Sequence, residues 1–223
     1  MDLSRLLDAL EAVYGLPRPP PTSDPFELVV WENIAYLADD AARAVAFATL
    51  RERVGTQPSQ ILSAPWDVLL QVGGAGRLPV SSAGKLRTAA AIAVDRFGGD
   101  LGQLGQLPLP AARQVLKAFP SIGEPGADKI LLLAQLHPVL ALDSNGLRVM
   151  VRLGYGRETR GYSATYRSVL AAVHPELANK TFDWLIRAHL LLRRHGQEVC
   201  RRNSPACHVC PLTATCAYYR LSR

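Results

Sequence analysis

Val115-Leu116-Lys117-Ala118-Phe119-Pro120-Ser121-Ile122-Gly123-Glu124-Pro125-Gly126-Ala127-Asp128-Lys129-Ile130-Leu131-Leu132 is the stretch that decides how the rest of the chain is read. Apolar residues at helical spacing flank a short segment rich in proline and glycine, so it reads as helix, tight turn, helix. A turn that leads into a helix can aim backbone N–H groups at a phosphate without reading any base. Ser121, Gly123 and Gly126 are the candidate backbone contacts.

Outward from this hairpin the pattern stays helical. Residues 1 to 12 are amphipathic, a proline-rich breaker follows at 17–21, and Asp24-Pro25 opens a stretch whose Phe26, Val29, Val30, Ile34 and Leu37 line one face. Further helices are expected over 39–53, 59–62, 66–71, 81–97, 110–118, 126–136, 145–153, 163–174 and 181–195. No alternating segments are joined by hairpin turns and no repeat recurs at a fixed period, so the fold class is all-α.

Composition bounds the function. The 223 residues are 48% hydrophobic, and the 16 prolines and 17 glycines are scattered as punctuation, which describes a globular chain of one domain or two small ones. The net charge of +6 comes from 25 Lys and Arg against 19 Asp and Glu, mostly arginine, which gives the surface a reason to approach phosphates. The amino terminus lacks a secretory layout and no apolar run is long enough to span a bilayer. The expectation is therefore a cytoplasmic protein without a membrane partner.

In that compartment the cysteines imply metal. Cys200, Cys207, Cys210 and Cys216 fall within 17 residues with spacing C-x6-C-x2-C-x5-C. Four thiolates suit either tetrahedral zinc or a four-iron cluster, and their softness argues against calcium and magnesium. Arg193, Arg194, Arg201 and Arg202 flank them and are candidate contacts to a backbone phosphate.

The segment Ala188–Cys200, with Pro205-Ala206-Cys207-His208-Val209-Cys210-Pro211-Leu212 and Cys216, resembles the iron-sulfur end of endonuclease III and the adenine glycosylase MutY. In that family this spacing binds a 4Fe-4S cluster, so the resemblance implies the same cofactor here. The hairpin resembles the family's helix-hairpin-helix motif, with Ser121 in place of its first turn glycine. The resemblance covers roughly residues 25 to 218. It implies a two-lobed fold: a helical barrel over 27–137 with the hairpin at about 111–136, and a second lobe from 1–26 and 138–223 carrying the cluster over 200–216. DNA would lie in the cleft, with a flipped nucleotide between Glu32 and Asp143.

The same resemblance assigns roles. Leu142-Asp143-Ser144-Asn145-Gly146-Leu147-Arg148-Val149 is similar to the family segment that carries the catalytic aspartate, and Asp143 takes that role. An aspartate in front of a helix is also an N-cap, and the two roles are compatible. Bifunctional members carry a lysine nucleophile where this chain has Pro125, eighteen residues before Asp143 as the family spacing requires. A proline in a peptide bond has no amine and forms no Schiff base, so lyase activity should be weak or absent. Lys129, one helical turn on, is read as a solvated helix residue.

Glu32 falls where the adenine glycosylase and related mismatch glycosylases carry a catalytic glutamate, and beside Trp31 it is a candidate proton donor to a purine. Asn145 matches the asparagine of the adenine glycosylase segment. Trp31, Tyr36, Leu37 and Asn145 are the candidate pocket or wedge residues, Tyr36 and Leu37 standing where the family often has glutamines. The expectation is a monomeric, monofunctional DNA N-glycosylase of base excision repair, acting on double-stranded DNA with a damaged or mismatched base, a purine in the first reading, and associated with the nucleoid. An oxidised-pyrimidine or alkylated-base glycosylase is the nearest rival, and a non-catalytic protein that binds damaged DNA is the rival of another class.

Overall fold

The computed structural model describes residues 2–35 and 38–221. Among them there are twelve α-helices, three short 3-10 turns and no strand. The helices divide into two compact units, Pro20–His137 and the combination of Met1–Pro19 with Pro138–Arg223.

The unit Pro20–His137 holds α2 (Pro25–Asn33), α3 (Asp40–Arg53), α4 (Pro58–Ser63), α5 (Trp66–Gly73), α6 (Pro79–Phe97), α7 (Leu109–Leu116) and α8 (Glu124–Leu133). Residues 20–26, expected with the amino-terminal helix, group here instead. The local chemistry gives the reason: Asp24 caps α2 by accepting from the Glu27 N–H at 2.8 Å, and Pro25 and Phe26 are buried in this unit. Helix α2 is apolar nearly all round, with Phe26, Leu28, Val29, Val30 and Trp31 buried, as befits a central helix. It packs against α6 and α8. The alanines of α6, Ala83, Ala89, Ala90 and Ala93, are fully buried and let neighbouring backbones come close.

Helices α7 and α8 form the expected hairpin. They are tied by Arg113, which grips the fully buried Asp128 with Nε at 2.5 Å and Nη2 at 2.9 Å. Such a bidentate pair fixes the angle between two short helices more tightly than apolar contact alone. In the turn, Ser121 takes the left-handed conformation with φ of 61° that a glycine would adopt without strain. Gly123 is the N-cap of α8 and Pro125 lies in its first turn, where a missing N–H costs no hydrogen bond.

The other unit contains α1 (Leu3–Tyr14), α9 (Ser144–Leu153), α10 (Tyr162–Val173), α11 (Phe182–Glu198) and α12 (Ala217–Leu221). Leu3, Leu6, Leu7 and Leu10 form the buried stripe of α1. Arg187 of α11 holds that helix by pairing with Asp8 at 2.8 Å and with Glu11. Helix α9 packs along α11, and the approach is close at Gly196, where a Cβ would come within 2.6 Å of the Asn145 carbonyl oxygen. Only glycine fits there. This contact brings the start of α9, which carries Asp143, against the end of α11, which leads into Cys200.

Candidate functional site

Asp143 is held from several directions at once. As N-cap of α9 it accepts from the Asn145 N–H at 3.0 Å and the Gly146 N–H at 2.8 Å. Its second oxygen accepts from Asn145 Nδ2 at 3.2 Å and faces Arg193 Nε at 3.3 Å. Burial pushes the carboxyl pKa up, but the Gly146 hydrogen bond, the charges of His189 and Arg193 and the Asn145 amide outweigh it and hold the group below its ordinary value. The cap and an ionised, aimed carboxylate are thus the same arrangement.

A chain of hydrogen bonds runs from this carboxylate to the cysteine loop. Asn145 Oδ1 accepts from Arg148 Nη2 at 2.9 Å. Arg148 also donates to the carbonyls of Gly196 at 2.7 Å and Cys200 at 2.8 Å. Arg152, one turn further along α9, donates to the carbonyls of Arg201 and Arg202 at 2.7 and 3.0 Å and approaches Cys200 Sγ at 3.3 Å. Neither arginine stands out in the sequence as a site residue, although their four-residue spacing puts both on one face of the helix that Asp143 caps.

The four cysteines line one cavity together with Val149 and Leu212. None forms a disulfide. Among the described residues no group of three or more His, Cys, Asp or Glu converges on a point suited to one metal ion. The thiols instead ring a space, and donors surround it: the Leu212 N–H lies 3.4 Å from Cys210 Sγ and His195 Nε2 lies 3.5 Å from the same sulfur. Burial depresses His195 to about 4, so its ring is neutral. Tyr14 Oη is 2.9 Å from the other ring nitrogen. A proton on Nε2, with Nδ1 accepting from Tyr14, satisfies all three groups. Four thiolates with N–H groups directed at them fit a cluster with anionic sulfur ligands.

Two of the expected backbone contacts have other partners. Arg193 faces Asp143, and Arg194 donates to the Tyr14 carbonyl at 2.9 Å and to Glu198 at 2.8 Å. Both are drawn into the structure by carboxylates and a carbonyl close at hand. Arg201 and Arg202 are exposed, as are Ser121 and Gly123, while Gly126 is half-buried.

Glu32 stands apart from the sequence-based expectation. Its Oε2 accepts from Lys129 Nζ at 2.6 Å, and the two side chains are only 20% and 17% exposed. Lys129 is therefore a partner of Glu32 and not a solvated residue, because α8 is laid against α2. Trp31 is in the core at 7% exposure, edge-on to Phe47 at 5.6 Å and under the Arg43 guanidinium at 5.8 Å. Tyr36 and Leu37 lie outside the described residues.

No protein-family model matches the chain. It is 26% identical over 194 residues to endonuclease III of Bacillus subtilis, which covers 87% of this chain and 81% of that one. To a thymine/uracil-DNA glycosylase of Pyrobaculum aerophilum it is 30% identical over 134 residues, 57% of this chain and 52% of the relative. Its fold matches the solved structure of a trapped endonuclease III–DNA covalent intermediate with a TM-score of 0.75 at 21% identity, over 100% of this chain and 99% of the other. With the hairpin, the capped aspartate and the cysteine loop in place, the chain is similar in sequence to endonuclease III and shares the fold of the endonuclease III-like glycosylases.

Proposed function

We propose that the protein is a monofunctional DNA N-glycosylase of base excision repair, which flips a damaged or mismatched base and hydrolyses its glycosidic bond. The observation that carries this reading is the pairing of a fixed, ionised Asp143 with a proline at position 125. The carboxylate stabilises the positive sugar that develops as the C–N bond breaks, and orients water toward the sugar carbon. The bonding electrons leave on the base nitrogen, water oxygen bonds to the sugar, and the water proton passes to the departing base or to solvent. Without an amine at position 125 no Schiff base forms and the strand is left intact.

The family resemblance and the ring of thiols support a 4Fe-4S cluster on Cys200, Cys207, Cys210 and Cys216. Such a cluster supplies structural closure for a loop with few apolar residues of its own. Zinc would ask four sulfurs to converge on a single ion. Arg201 and Arg202 on this loop, with the Ser121, Gly123 and Gly126 backbone of the hairpin, serve as phosphate contacts. Asn145 orients Asp143. The protein acts as a monomer on double-stranded DNA, within the nucleoid.

A purine is the first substrate reading, from the position of Glu32. A pyrimidine is the second, favoured by the likeness to a thymine/uracil-DNA glycosylase and by a Glu32 that accepts from lysine. Base release from a panel of duplexes with single lesions, assayed with and without alkaline cleavage, tests the proposal. Released base with strand breaks only after alkali is the expected result. Release confined to pyrimidines overturns the purine reading, and binding without release on every lesion points to a non-catalytic damage-binding protein.

A further inference from the structure

We propose that Lys129 is a positioning residue that fixes Glu32 as an anionic acceptor in the substrate site. The inference rests on the role given to Glu32 above and changes its chemistry from resting proton donor to held carboxylate.

Three observations and one general principle lead to it. Lys129 Nζ and Glu32 Oε2 are 2.6 Å apart and both side chains are largely covered. On α2 the residues before Glu32 are apolar and buried, Val29, Val30 and Trp31, and the one after it, Asn33, is a buried amide that donates to the Val29 carbonyl. Apolar side chains of similar volume generally hold two helices together as well as a covered ion pair does, so this pair is poorly explained as a device for stability alone. The hairpin has its own clamp, the Arg113–Asp128 pair, so the frame of α8 does not depend on Lys129.

The amine has also been committed. Lys129 Nζ donates to Glu32 Oε2, and an amine engaged with a carboxylate is not aimed at a sugar carbon. Although it sits one turn beyond Pro125, it does not replace the missing nucleophile. Instead the lysine orients Glu32, whose charge acts on the cationic sugar or on the water that attacks it.

A double-mutant cycle separates this from a merely structural role. Single-turnover base release is measured on the duplex that the full-length protein processes fastest among A opposite 8-oxoguanine, G·T, G·U and ethenoadenine·T. Binding is measured in parallel on a duplex with a tetrahydrofuran abasic site. Glu32→Gln should slow release by about 100-fold or more. Lys129→Met should slow it by about 30-fold with binding changed less than about 2-fold, while Lys129→Arg recovers most of the rate. The double variant should be no slower than Glu32→Gln alone, because Lys129 acts only through Glu32.

The inference is overturned if Lys129→Met leaves the wild-type rate unchanged, if it slows the Glu32→Gln variant as much as wild type, or if rate and binding fall together. Should Lys129→Met not fold, Lys129→Gln carries the same comparison. An unchanged rate in Glu32→Gln overturns the role given to Glu32 itself. Absence of release from all four duplexes and from one carrying an oxidised pyrimidine overturns the glycosylase reading on which both depend.

Discussion

Asp143 and Glu32 are both carboxylates on helical elements, but they are held in opposite ways. Asp143 has two backbone N–H groups, an amide and a guanidinium, all from its own unit, and the Asn145–Arg148 chain ties it to the cysteine loop. Glu32 accepts from a lysine on another helix, 97 residues away in sequence. Asp143 is fixed by redundancy, and loss of one partner leaves others. Glu32 is reached from a second helix by Lys129, so a substitution on α8 acts on it directly.

The largest expected effect that would break the comparison is on the redundant side. Asp143→Asn should retain the cap, since asparagine accepts from the same N–H groups, yet lower single-turnover base release by about 1,000-fold. A small kinetic effect would mean that Asp143 is only a cap. Next comes the tether. Cys200→Ala should abolish the visible absorbance of a purified cluster and make the unit containing α9 and α11 sensitive to protease, because the loop then has little to hold it.

Arg148→Ala leaves the Gly196 and Cys200 carbonyls without their donor and should cost about 2–3 kcal/mol in urea unfolding. It should also lower base release, whereas Arg201→Ala with Arg202→Ala should weaken DNA binding about equally for every sequence and reduce its salt dependence. If Arg148→Ala affects stability but not rate, the cysteine loop and Asp143 are not coupled.

The smallest effect is in acid. The folded pKa of Asp143 is depressed, so its contribution is present above the unfolded value near 4 and is lost as pH falls through the lower folded value. Wild type should be more stable than Asp143→Asn at pH 7, with the gap closing only below about pH 4. Urea midpoints at both pH values check it, and a gap that persists in acid would show that the charge of Asp143 contributes nothing.

Much of the fold was legible in the sequence because its helix starts are local. Asp24, Asp39, Asp143 and Thr181 each sit just before an apolar run, and each accepts from a backbone N–H two or three residues on. The 3-10 turn at Gly102–Gln106 and the short α12 went unread, since runs this short carry almost no periodicity. The cap formed by Asp143 and the grouping of the cysteines were legible for the same local reason. The partner of Glu32 was not: nothing around Lys129 distinguishes it from a solvated lysine until α8 is laid against α2. Arg193 likewise reads as a surface charge until α11 brings it to Asp143.

The central claim is that a held carboxylate acts without an amine nucleophile, and borohydride trapping tests it most directly. On the fastest-processed duplex, wild type should release base and yield no trapped protein–DNA adduct, with strand breaks appearing only after alkali. A covalent adduct formed by the wild-type protein would contradict the account.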